Sequence, residues 1–271
     1  MLLPYMERSL LKNILIISIL TFAFLLAGFS STGENAPEYR VKRIVIDAGH
    51  GGKDPGTIGL VSREKDIALK VALQLGKYIE ENLKGVEVIY TRKTDVFIEL
   101  KERANIANRN KADLFISIHC NATGNKGVSG TETFVMGNKN FESNFDIVKR
   151  ENAVMLLEED FEENYEGFDP KSPESYMTFN LMHKAFFASS LSLAQKIEDD
   201  FTTRVNRKSR GVKQAPFYVL WTTSMPSVLI ETGFLSNSAE EQFLNSKNGQ
   251  TYLASAIYRS IKAYKEEIES L

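Results

Sequence analysis

Apolar residues in this chain switch repeatedly between two periods. "RIVIDA" (Arg43–Ala48) is a short β-branched run that ends in glycines, the mark of a buried strand. "EKDIALKVALQLGKYIEENLKG" (Glu64–Gly85) places Ile67, Val71, Leu75 and Ile79 on one face, which predicts an amphipathic helix stopped by Gly85. "VEVIYT" (Val86–Thr91) reads as the next strand and Val96–Ala112 contains a second helix. "DLFISIHC" (Asp113–Cys120) and "GTETFVM" (Gly130–Met136) read as strands, as do "FYVLW" (Phe217–Trp221) and "SVLIET" (Ser227–Thr232). A long helix spans Thr178–Val205, and a last one spans roughly Gln250–Ile268. The β–α–β order predicts a single α/β domain over residues 41–271, with a mostly parallel sheet of about six strands and helices on both faces.

Two segments break this rhythm. Residues 137–175 are rich in Asn and Glu and end around two prolines. Their middle, Val148–Tyr165, carries Val154, Leu157 and Phe161 at helical spacing, so the segment reads as a helical insertion or lid over the core. At the other break, Met1–Asn13 carries Arg8 and Lys12, the apolar run "ILIISILTFAFLLA" (Ile14–Ala27) follows, and small polar residues come next. A basic start, an apolar core and a small-residue exit describe a secretory signal peptide over residues 1–30, with 31–40 as linker. An uncleaved N-terminal anchor is the alternative, although about 20 apolar residues suit a span better. Either reading predicts export to the periplasm or cell envelope, with membrane contact only through this segment.

Of 271 residues, 43% are apolar and 25% charged, so the chain can build a core. The formal charge of −2 gives no bulk electrostatic case for nucleic acid. Cys120 is the only cysteine, so an internal disulfide and a cysteine-rich metal site are excluded. The glycines after Ala48 fit neither GxxxxGK[ST] nor GxGxxG, which leaves them a turn and close-approach role.

The three histidines separate by context. His50 and His119 each sit at the carboxyl end of a predicted strand, where open α/β sheets bind ligands. Glu64 opens the helix after the glycine loop and can reach the same rim. Two histidines and a glutamate, with a fourth position open to water, form a catalytic zinc set. The long separations, 14 residues and then 55, are not those of a local HExxH pair, and each histidine alone could be structural. His183 lies within an apolar helical stretch and reads as a packing or surface residue. Glu231 ends an apolar strand, where a carboxylate is costly without a partner. It is either a salt-bridged glutamate or a general base beside metal-bound water.

The blocks "IVIDAGHGGKDPGTIG", "REKDIALKVALQL", "ADLFISIHCNA", "RGVKQAPFYVL" and "MPSVLIETGFLSN" together resemble the zinc-dependent N-acetylmuramoyl-L-alanine amidases of the amidase-3 type. The resemblance covers most of Val41–Leu271. It implies a twisted mixed sheet flanked by helices, one Zn²⁺ held by His50, Glu64 and His119, and Glu231 as the catalytic glutamate. The implied substrate is peptidoglycan, cut between the lactyl group of N-acetylmuramic acid and L-alanine in wall turnover or cell separation. Cys120 stands where the family often has alanine, and strand alternation turns it away from His119. The resemblance also suggests that the insertion blocks the zinc until an activator protein displaces it. Glu158, Glu159, Glu162 and Glu163 are the candidate blocking ligands, against the plain alternative of a solvated acidic face. Another zinc peptidase or amidase of the wall, and a non-catalytic wall-binding protein, are the competing readings. Asp47 is left with two roles, orienting a ligand or serving the turn.

Overall fold

The computed structural model describes residues 40–176 and 185–270. The expected signal segment and linker, up to residue 39, and His183 lie outside the described residues. Among the described residues no helix is long and apolar enough to cross a membrane.

Six strands form one mixed sheet in the order β2-β1-β3-β6-β4-β5. They are β1 (Arg43–Ala48), β2 (Glu87–Tyr90), β3 (Leu114–Asn121), β4 (Thr131–Met136), β5 (Ser209–Ala215) and β6 (Ser227–Phe234). All neighbours run parallel except β4 and β6. Every residue of β3, β4 and β6 is buried, because helices cover both faces.

The period-two alternation of the central strands sorts residues between two cores. Leu114, Ile116, Ile118 and Cys120 face a core closed by α1 (Glu64–Asn82), α5 (Phe187–Val205) and α8 (Lys247–Ile268). Cys120 is thus turned from His119, and its Sγ lies 3.3 Å from Thr232 Oγ1. Phe115, with Val45, Leu229 and Phe134, faces the second core, under α2 (Leu100–Arg109) and the inserted segment. Strand register aligns His119 with Glu231 and Glu231 with Glu132, so three polar side chains share this second face.

Two expected elements differ. "FYVLW" is not a strand: after Phe217 it forms one helical turn, α6 (Tyr218–Trp221), with the Leu220 and Trp221 amides donating to the Phe217 carbonyl. A short buried apolar run carries no period that separates strand from helix. The sixth strand is instead the polar "SRGVKQA" of β5, whose place at the sheet edge removes the need for an apolar face. The expected helix at Val148–Tyr165 is three pieces: α3 (Phe141–Asn152), a 3₁₀ turn (Ala153–Leu157) and α4 (Phe161–Tyr165). A further short helix, α7 (Ser238–Asn245), is capped by the Asn237 side chain, which accepts from the Ala239 and Glu240 amides.

Candidate metal centre

Four side chains from four elements meet at the carboxyl end of β1 and β3. They are His50 from the β1 loop, Glu64 at the start of α1, His119 on β3 and Glu151 on α3. One donor atom of each lies within 4.8 Å of all the others. His50 Nε2 is 3.1 Å from Glu64 Oε1 and 3.2 Å from Glu151 Oε2. His119 Nδ1 is 3.0 Å from Glu64 Oε1 and 3.1 Å from Glu151 Oε2. These four of the six donor separations are close to about 3.3 Å, the spacing of neighbouring donors that each lie about 2.0 Å from a zinc ion, and the whole set stays within 4.8 Å.

Hydrogen bonding does not account for the cluster. His50 Nε2 and Glu151 Oε2 are buried and make no hydrogen bond despite their close neighbours. Buried polar atoms are seldom left so. A cation between the four atoms satisfies both, so the donor set fits a metal.

The charges agree. Burial works to lower the pKa of His50, but the nearby carboxylates of Glu64, Asp54 and Glu151 outweigh it and hold it well above the ordinary histidine range. Burial opposes His119 too, yet Glu151 and Glu64 push it up to about 9. Glu64 is held low, with His50 overcoming its burial. Arg150 and His119 do the same for Glu151, well below the carboxylate range.

The loop that carries His50 is braced from below. His50 adopts φ 61°, a left-handed conformation costly for a side-chain-bearing residue, by about 1–3 kcal/mol. Arg103 Nη2 donates to its carbonyl at 2.8 Å, and Arg92 holds the Ala48 and Gly49 carbonyls. Asp47 anchors Arg103 Nη1 at 2.8 Å and accepts from Thr91 and Ser117, both at 2.7 Å. Asp47 thus has neither of its expected roles: it is the buried foot of the arginine that fixes the His50 backbone. Asp54 orients the imidazole, through a 2.7 Å contact with His50 Nδ1. Glu64 is fixed by the amides of Thr57 and Cys120, each at 2.8 Å. Two glycines make room: a Cβ on Gly49 would lie 2.4 Å from the His119 ring, and one on Gly56 would lie 2.5 Å from His50.

Glu231 borders this cluster, fully buried, with both carboxylate oxygens free of hydrogen bonds. Burial, then the charges of Glu151 and Glu64, push its pKa well above the carboxylate range. Arg150 Nη2 stands 3.8 Å from Glu231 Oε1. The same arginine donates to Glu151 Oε1 and reaches the Ala122 carbonyl and Asn121 Oδ1.

Residues 44–263 match the family model described as N-acetylmuramoyl-L-alanine amidase. The chain belongs to the N-acetylmuramoyl-L-alanine amidase family. It is 33% identical over 228 residues to the amidase AmiC of Escherichia coli O6:H1, covering 82% of this chain and 52% of AmiC. It therefore spans about half of that relative's length. An N-acetylmuramoyl-L-alanine amidase structure from Clostridium difficile 630 superposes with a TM-score of 0.63 at 27% identity, over 84% of this chain and 98% of the other. The CwlD amidase of Clostridioides difficile, solved in complex with the GerS lipoprotein, superposes with a TM-score of 0.61 at 27% identity, over 83% and 99%.

In this amidase the structure brings together His50, Glu64 and His119, with Glu231 alongside, as the sequence led us to expect. It corrects the inserted segment. Glu158 faces the other way, accepting from the Leu100 amide at 3.0 Å and from the Tyr165 hydroxyl. Glu159, Glu162 and Glu163 are exposed. The inserted carboxylate at the centre is Glu151, which the sequence reading missed. Its signal is faint but present: Asn144, Ile147, Val148, Glu151 and Asn152 form the buried stripe of α3, and a carboxylate on such a stripe needs a partner.

Proposed function

We propose that this amidase holds one Zn²⁺ with His50, Glu64 and His119 and uses Glu231 as general base and acid. In this reading it hydrolyses the amide between the lactyl group of N-acetylmuramic acid and the L-alanine of the stem peptide. The convergence of four donors beside a buried carboxylate whose oxygens make no hydrogen bond among the described residues supports it most. Zinc, when bound, supplies a Lewis acid that polarises the scissile carbonyl and makes water more acidic. The protein's residues do the rest. Asp54 takes the His50 Nδ1 proton in hydrogen bond and so presents the Nε2 lone pair to the ion. Glu231 removes a proton from the attacking water and passes it to the departing alanine nitrogen.

Glu151 fills the fourth donor position, and catalytic zinc sites need that position open. The form seen here is accordingly the closed one, and withdrawal of α3 precedes turnover. Arg150 leaves with Glu151 and frees Glu231. We assign that withdrawal to an activator protein acting on residues 137–175; a similar amidase has been solved with a lipoprotein partner. The N-terminal apolar run Ile14–Ala27 supports export to the periplasm or cell envelope, by signal peptide or anchor.

Metal analysis combined with mass spectrometry of digested sacculi tests the assignment. The expected result is one zinc per chain and stem peptides released with a free alanine amine. Glu231→Gln should keep its zinc and lose at least about 10²-fold in rate. Full activity in that variant would remove Glu231 from the mechanism, and cuts inside the peptide would make the protein a peptidase.

A further inference from the structure

Glu132 sits beside Glu231 in the β4–β6 register, on the same face of the sheet. Facing residues of paired strands have Cβ atoms about 4.5–5.5 Å apart, so the two side chains are immediate neighbours. Two cations from the edge strand β5 converge on one oxygen of Glu132. Arg210 Nε donates to Glu132 Oε1 at 2.6 Å and Lys213 Nζ to the same atom at 2.7 Å. Asn121 holds the other oxygen at 3.1 Å.

Glu132 is buried, whereas the side chains of Arg210 and Lys213 are 31% and 29% exposed. One carboxylate oxygen thus serves both cations, and both side chains reach the surface. Lys213 also borders an open cavity of about 410 Å³ of mixed polar and apolar lining, with Lys139, Asn140, Leu191, Val212 and Gln214 around it. That is within the range of about 300–1,000 Å³ that holds small ligands.

Substrate chemistry identifies what this charge meets. On the glycan side of the scissile bond the substrate is uncharged. On the peptide side the residue after L-alanine is a γ-linked D-glutamyl unit, whose α-carboxyl is either free or amidated. Each residue of extended chain spans about 3.3–3.6 Å, so the carboxyl of the second residue lies roughly 7 Å beyond the reacting centre, one to two strand spacings away. We propose that Arg210 and Lys213, set in place by Glu132, bind the free α-carboxylate of this second stem residue and make the enzyme prefer it to the amide. The inference rests on the amidase reading above and adds the direction in which the stem peptide lies, from Glu231 toward β5. Arg210 presents planar paired donors and Lys213 a mobile point charge, a combination suited to a carboxylate.

The test compares two disaccharide stem peptides that differ only in a D-glutamate or a D-isoglutamine second residue. Cleavage is measured with zinc-loaded full-length protein carrying Glu151→Ala, so that α3 does not mask the site. The expected kcat/KM is about tenfold higher for the carboxylate substrate, the worth of one charge-assisted hydrogen bond. Adding Arg210→Gln and Lys213→Gln should erase that preference, bringing the ratio of kcat/KM for the two substrates to about one. Equal cleavage of both substrates by the parent, or a parallel fall on both in the double variant, overturns the proposal. Because the double variant leaves the buried Glu132 without a cation, the parent is also titrated with salt. KM for the carboxylate substrate should rise severalfold between about 50 and 500 mM, and that for the amide should not. An identical salt response also overturns the subsite. If the parent retains zinc but cuts neither substrate, the amidase reading itself fails and the subsite falls with it.

Discussion

Three of the four donors at the centre come from the sheet core, and the fourth comes from the insertion; their support differs in kind. His50, Glu64 and His119 are held by backbone amides, by Asp54 and by the Asp47–Arg103–Arg92 assembly beneath the loop. These contacts come from the sheet, the loops at its carboxyl edge and α2, and all but the half-buried Thr57 amide are buried. Among the described residues Glu151 is held only by its neighbour Arg150 and by the centre itself. The helix that carries it is stitched down at a distance, through Asn152 to the Pro216 carbonyl and the Tyr218 amide, and through Phe141 and Phe145 against Tyr176. A donor built into the core defines a permanent site. A donor on an inserted helix can leave without unfolding what remains, and this makes it suited to control.

Substitutions at the two kinds of donor should therefore diverge. The largest effect is expected from His50→Ala, which should abolish both zinc retention and activity. Glu151→Ala should keep stoichiometric zinc, by elemental analysis, and raise turnover severalfold without an activator. Matching zinc loss in the two variants would erase the distinction. Next comes Asp47→Ala, which strands the buried Arg103 and should cost about 3–5 kcal/mol by denaturant unfolding. Arg103, with Thr91 and Ser117, outweighs burial and holds the Asp47 pKa below its usual value of 3.8. Its contribution is present above the unfolded-state pKa and is lost as pH falls through the lower folded-state value. Wild-type stability should accordingly drop below about pH 4, and an Asp47→Ala variant should show less of that acid slope.

A smaller effect, about 10–100-fold in zinc affinity, is expected for Asp54→Ala, which removes the acceptor on His50 Nδ1. The smallest is Glu158→Gln. It weakens a buried cap of α2 by about 1 kcal/mol and should leave activity within about twofold of wild type. A gain as large as that of Glu151→Ala would return the blocking role to the acidic run.

Legibility followed the range of the forces involved. His50 and His119 could be placed at strand ends because the apolar run before each is local, and Glu64 because a helix start is local too. β5 escaped notice because an edge strand needs no apolar face, and "FYVLW" misled because a buried run shows no period. The acidic stretch after Leu157 drew attention by its composition, yet only Glu158 of its four candidates is buried, and it serves the α2 end and Tyr165.

The sequence by itself determined the α/β architecture and placed His50, Glu64, His119 and Glu231 at strand or helix ends, since these follow from hydrophobic period; that they belong to one site was implied by the family resemblance. Only the tertiary structure decided which carboxylate of the insertion enters the centre, what Asp47 supports, and that two cations of β5 converge beside Glu231. Each of these depends on how a helix is rotated against the sheet or on which strands become neighbours. Contacts between residues far apart in the chain set both, and no local period records them.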